Sequence, residues 1–189
     1  MPSILLTAPA VEPVPLDEAR AYLRVEHHDD DDVIAALIAG GRIHVEAQVR
    51  RALIAQSWRI SLDAWPEDGR LPVRPAPLQS LTAAHYDEDG TARDIDLQSF
   101  VLDVGNSALA FAPWALPAPG RIAAGIALDV VCGYGATASD VPEPLRHAIR
   151  LLTAHWYENR GLIATGTAQA AMLPGTVSAL LAPYRVLSL

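Results

Sequence analysis

The chain has 189 residues and a formal charge of −8, from 22 acidic and 14 basic side chains; such an acid excess is a poor match to a protein that grips phosphate backbones. With 51% hydrophobic and 19% charged residues wholesale disorder is excluded, and a chain of this length buries roughly 70% of its unfolded surface without help from a metal. One cysteine, Cys132, excludes an intrachain disulfide framework and a multi-cysteine zinc site.

No uninterrupted apolar run approaches the ~20 residues of a membrane span. Met1 to Pro15 carries no positive residue and no apolar stretch of the signal-peptide kind, so a soluble protein made inside the cell is expected. Pro2, Pro9, Pro13 and Pro15 each fix φ and remove a backbone donor, so residues 1–15 are expected to be extended, as an arm or an edge segment.

Pro15 suits the start of a short helix, Leu16 to Val25, with Asp17 and Glu18 in its electropositive first turn. After His27-His28-Asp29-Asp30-Asp31-Asp32 a longer helix is expected. Its apolar face is Ile34, Leu37, Ile38, Gly41, Val45 and Val49, and Glu46 and Arg50 have the spacing of an i,i+4 pair. Gly40-Gly41 within it costs about 1 kcal/mol per glycine relative to alanine, which predicts close packing or a bend there.

Residues 53–135 read as β-rich. Ser57 to Leu62 alternates in the strand manner, and Leu78 to Tyr86 and Thr91 to Leu97 flank the hairpin signature Asp87-Glu88-Asp89-Gly90. Phe100 to Val104, Ala108 to Phe111 and Ile126 to Val131 are further short strands, with prolines at the breaks between segments. From Asp140 the pattern returns to helix. Asp140 is expected to cap it, Pro142 and Pro144 to sit in its first turn, and Leu145, Ala148, Ile149, Leu152 and Trp156 to form its buried stripe. Gly161 to Gly175 reads as a mobile loop, followed by a short helix from Thr176 to Leu181 that Pro183 stops.

Chemistry-bearing groups are few. His27, His28 and the following aspartates are the best candidate for a metal, but adjacent residues cannot all converge on one ion, and carboxylates at a helix N-terminus have a simpler role there. His155-Trp156-Tyr157-Glu158 offers a His–Glu pair without a Gly-flanked serine, Cys132 lies in an apolar run that suppresses its thiolate, and Asp87 and Asp89 sit at a hairpin tip. Gly133-Tyr134-Gly135 lacks the lysine of a phosphate loop. The tail Pro183-Tyr184-Arg185-Val186-Leu187-Ser188-Leu189 combines residues that interface hot spots favour; folding back onto its own core and docking on a partner stand level on composition.

The order of these motifs resembles the phage head–tail connector (adaptor) family, as found in tailed phages, prophages and gene transfer agents. The likeness runs through Pro9 to Val25, Asp31 to Ile38, Arg51 to Trp58, Pro75 to Leu81, Tyr86 to Gly90, Gly133-Tyr134-Gly135, Val141 to Arg146, His155 to Arg160 and Leu180 to Arg185. It implies a structural protein with no catalytic residue, no metal and no cofactor. The implied fold is α+β: a helical adaptor core (16–52 and 140–182) with a β-rich insertion (53–135), an N-terminal arm (1–15) and a C-terminal tail (183–189).

The implied partners are the portal protein, the next neck protein, and further copies of itself in a ring matching the portal, with twelve copies expected. DNA would pass through the lumen unread, past acidic residues that repel phosphate. In relatives the C-terminal segment reaches toward the portal, which here assigns that role to Leu180, Leu181, Pro183, Tyr184, Arg185, Val186, Leu187 and Leu189. Ring contacts would be heterologous, the free protein monomeric until the portal templates assembly, and the protein made in the bacterial cytoplasm. The alternatives are a stopper or tail-completion neck protein, and a small metal-dependent hydrolase built on His27, His28 and the aspartates.

Overall fold

The computed structural model describes residues 3–159 and 175–186, so the stretch read as a loop lies outside the described residues up to Gly175. The fold is mixed, with four α-helices and two antiparallel sheets among the described residues. These form two compact units. One comprises 3–10 and 55–134, and the other 11–54, 135–159 and 175–186.

The first unit holds all the strands. Residues 3–7, expected to be extended as an arm or an edge segment, form β1 (Ser3–Thr7), the edge strand beside β2 (Gln56–Leu62). With β4 (Leu78–Glu88), β5 (Thr91–Asp94) and β8 (Ile126–Cys132) they make a sheet of order β1-β2-β8-β4-β5. Central β8 alternates with Ile126, Leu128, Val130 and Cys132 all buried, the half-buried period-two pattern. Across from it, Arg59 of β2 grips Asp129 with two bonds of 2.7 Å.

The register of β4 against β8 shifts twice, near Gln79 and Thr82. Both side chains repair the lost ladder: Gln79 Nε2 donates to the Gly133 carbonyl (2.8 Å) and the Thr82 hydroxyl to that of Asp129 (2.9 Å). The β4–β5 hairpin turns at Asp89 (φ 52°) and Gly90 (φ 85°), two positive φ values in succession as a type I′ turn requires.

A second sheet, β3-β7-β6, consists of β3 (Arg70–Pro72), β7 (Ala108–Phe111) and β6 (Phe100–Asp103). Trp65, Phe100 and Phe111 close it with mutual centroid distances of 5.2–5.9 Å, and the Trp65 indole N–H reaches the Pro117 carbonyl at 2.9 Å. The expected strand Thr91 to Leu97 ends earlier, at Asp94. Asp96 accepts from the Gln98 amide and starts a 3₁₀ turn at Leu97.

In the second unit α1 (Leu16–Leu23), α2 (Asp31–Val49), α3 (Glu143–Glu158) and α4 (Gly175–Leu181) pack on one another. Ile34, Ile38, Gly41, Val45 and Val49 of α2 are buried against the stripe Leu145, Ala148, Ile149 and Leu152 of α3. Gly41 is the point of close approach: a Cβ there would stand 3.3 Å from Ile149 Cγ2. Gly40 differs, since its Cβ would meet only Trp156 at an ordinary 3.6 Å. Gly40→Ala should therefore raise stability by about 0.5–1 kcal/mol, the helix-propensity difference; a denaturation midpoint that does not rise would refute it.

Charge ties α1 to α3. Arg146 and Arg150 both donate to Glu18 and to Glu143, and the Arg146 Nε donates to the Pro13 carbonyl at 2.9 Å. The Arg150 bond first, then the neighbouring guanidinium charges, holds the Glu143 carboxyl below its ordinary range. One expected cap is corrected: Asp140 does not cap α3, whose N-cap is Pro142 with no side-chain bond. Asp140 instead closes a capping box with Thr137 across the short turn Ala138–Asp140, its carboxylate accepting from the Thr137 amide and hydroxyl, each at 2.8 Å.

Candidate functional site

Most groups with metal or catalytic potential are engaged elsewhere, while His27 and Asp29 are solvent-exposed and 3.9 Å apart. His28 Nδ1 lies 2.9 Å from Asp31 Oδ2 and 2.8 Å from Arg20 Nη1, which puts a guanidinium where a cation would have to sit. Asp30 accepts from the Tyr157 hydroxyl at 2.6 Å. Asp31 and Asp32 occupy the first turn of α2, where they face its positive end, but Asp30 at the N-cap makes no side-chain cap bond. Among the described residues no three His, Cys, Asp or Glu side chains converge to hold an ion.

His155-Trp156-Tyr157-Glu158 serves packing: Trp156 meets His44 edge-on at 6.2 Å, and Tyr157 bonds Asp30. Cys132 is fully buried and its thiol is pushed up to about 12 by desolvation, which removes the thiolate that a nucleophile needs. Asp87 is not a solvated tip residue. Its carboxylate accepts from the Gly90 amide (2.9 Å), while its backbone bonds Gly120 and Gly125 at 2.7 Å each. A shallow hollow beside β4 is lined by His85 and Asp94, paired at 2.8 Å, with Thr82, Ile95 and Leu97. The Thr82 hydroxyl is spent on the Asp129 carbonyl, so that hollow offers no nucleophile.

What the surface offers is apolar contact area. Strand β1 exposes Ile4, Leu5 and Leu6 on a sheet edge, and β6 with the following turn exposes Val101, Leu102 and Val104. Trp114 and Ile122, on the loop between β7 and β8, are 87% and 97% exposed. On α2, Val33 and Ile43 face outward. Aromatic and aliphatic side chains shown in this way are the raw material of protein interfaces.

The eight C-terminal residues singled out from sequence divide in the structure. Leu181 is buried in the second unit and belongs to its core. Leu180, Tyr184 and Val186 are half-buried, and Pro183 and Arg185 are exposed. Leu187 and Leu189 lie outside the described residues. The described part of the tail folds back along the end of α2: the Val186 amide donates to the Val49 carbonyl (3.1 Å), Arg51 Nε to the Tyr184 carbonyl (2.8 Å), and Arg185 to the Gln48 side chain (3.4 Å). The tail thereby satisfies one of the carbonyls that α2 leaves free at its C-terminus, a use that residue composition does not reveal.

No model of a known protein family matches the sequence, and no curated protein matches it. Solved structures do match the fold over its whole length. A chain in the neck of an empty gene transfer agent particle, computed with C6 symmetry, superposes with a TM-score of 0.82 at 24% identity, covering 100% of this chain and 97% of that one. A chain of the virion of a native gene transfer agent particle gives 0.81, and one in the neck of a native particle computed with C12 symmetry gives 0.77, at the same identity and coverage. The class is thus a mixed α and β fold shared with particle proteins. In particular, it is the fold of a chain found in the necks of gene transfer agents.

Proposed function

We propose that this chain is a head–tail connector (adaptor) of a tailed phage, prophage or gene transfer agent particle, with a structural and not an enzymatic role. The observation that carries the reading is the full-length likeness to a chain in particle necks, two of them computed with cyclic symmetry. On this reading the helical unit is the adaptor core and the strand-bearing unit an elaboration set between its helices. About twelve copies form a ring under the portal and carry the next neck protein. The acid excess keeps DNA passing through the lumen from sticking.

The C-terminal segment is the portal anchor. Pro183 and Arg185 present the docking surface, the half-buried Leu180, Tyr184 and Val186 support it, and Leu181 holds it to the core; Leu187 and Leu189 are assigned to the anchor from sequence alone. Aromatic, arginine and aliphatic side chains together are the composition of an interface hot spot.

The test mixes the purified protein with its cognate portal and follows mass by light scattering. It is repeated with a chain ending at Leu181 and with Arg185→Glu, whose exposed position leaves folding intact. Portal-dependent rings, lost on truncation and weakened by Arg185→Glu, are expected. No association with the portal would overturn the adaptor reading, and association with a preformed portal–adaptor complex alone would make the protein a stopper.

A further inference from the structure

Helix α2 has more apolar surface than its own unit uses. Between Val33 and Val45 only Arg42 and His44 are polar, so the helix is hydrophobic nearly all round, the pattern of a helix covered on two sides. Its inner face packs on α3, and its flanks are occupied by Arg42 bonding Glu12 and Glu46, and by His44 against Trp156. The remaining face, turned away from α3, carries Ala36, Ile43 and Ala47 with Val33 beside them. Ile43 is 58% exposed and Val33 40%.

Its upstream end is acidic, with Asp29 and Asp32 exposed. A surface of the opposite character lies on the α1 side of the same unit. There Tyr22 is exposed, resting edge-on against His147 of α3 at 6.4 Å, and Arg24 follows it at the exposed C-cap of α1. Ile43 thus faces away from α3, whereas Tyr22 rests against it.

We infer that the outward face of α2 is the docking site for a second copy of this chain, which lays Tyr22 over Ala36, between Val33 and Ile43, and sets Arg24 against Asp29 and Asp32. This inference rests on the connector reading, and gives its ring the two different, mutually complementary patches that a heterologous contact needs. An aromatic packed on aliphatics with a charge pair at the rim supplies both contact energy and register.

The test uses full-length chains with the cognate portal. Ile43→Arg and Tyr22→Ala, both at exposed positions, should leave the thermal midpoint near that of the unaltered protein and abolish rings. An equal mixture of the two variants should give pairs and no rings, because each pair keeps one intact contact. Asp32→Arg should weaken rings, and adding Arg24→Asp to it should restore them. Rings from Ile43→Arg alongside rings from the unaltered chain would overturn this interface and leave the connector reading standing. An unaltered chain that builds no ring on the portal would overturn both.

Discussion

Replacing Ile149 by alanine should lower the unfolding free energy of the helical unit by about 3–4 kcal/mol, in the upper part of the range for buried aliphatic truncations. Ile149 is fully buried at the closest approach of α2 and α3. The cost of such a truncation depends on whether neighbours can move into the space left behind. Here the facing residue is Gly41, which has no side chain to reorient, and Leu145 and Leu152 on the same stripe are already fully buried. The void therefore stays open. Urea unfolding followed by helical circular dichroism would measure the loss, and a value below about 1 kcal/mol would show that the two helices close on the vacancy.

A second large effect is expected at Gly135. A Cβ at this position would fall 2.3 Å from both Cγ and Oδ2 of Asp140. The carboxylate cannot swing aside cheaply, because the Thr137 amide and hydroxyl hold it. Those bonds, the amide's first, also hold the Asp140 pKa below its ordinary range. With the folded value depressed, the contribution is present above the unfolded pKa and fades as pH falls through the folded one.

Gly135→Val should thus lower the thermal midpoint by roughly 3–10 °C, as overpacking of about 1–3 kcal/mol does in a chain of this size. Calorimetry on the single variant and on Gly135→Val combined with Asp140→Ala provides the check. In the double variant the clash has lost its partner, so the two effects should fall well short of additivity. Strict additivity would mean that Asp140 is not what excludes a side chain at 135.

The helices α2 and α3 and the β4–β5 hairpin were legible because each is specified locally. A stripe at helical spacing needs only one apolar partner, and Asp89-Gly90 accepts the positive φ values that the turn demands. Strand β1 was not legible as a strand: Ile4-Leu5-Leu6 does not alternate, prolines flank it, and its pairing partner is more than fifty positions away in β2. Strand β3 was hidden in the same way, since Pro72 reads as a break yet sits at the strand's end on a sheet edge.

At the candidate site, composition singled out the tail but not its direction. That direction is set by groups more than a hundred residues earlier, at and just past the end of α2: the Val49 carbonyl, the Gln48 side chain and the Arg51 guanidinium. The outward face of α2 was within reach of sequence reading. Ile43 lies off the stripe Ile34, Ile38, Val45 and Val49, on the opposite side of the same helix.

Strand β1 also bears on how such a protein is taken apart or assembled from pieces. The polypeptide passes between the two units three times, after residues 10, 54 and 134. Excising 55–134 as one cassette would therefore leave Ser3-Ile4-Leu5-Leu6-Thr7 behind with no β2 to pair with. The orphan would be a greasy, sticky leader, prone to clump with its like. A clean graft of the strand-bearing unit onto another scaffold needs three cuts and a rerouted start, most simply a permuted chain in which β1 is spliced directly ahead of β2.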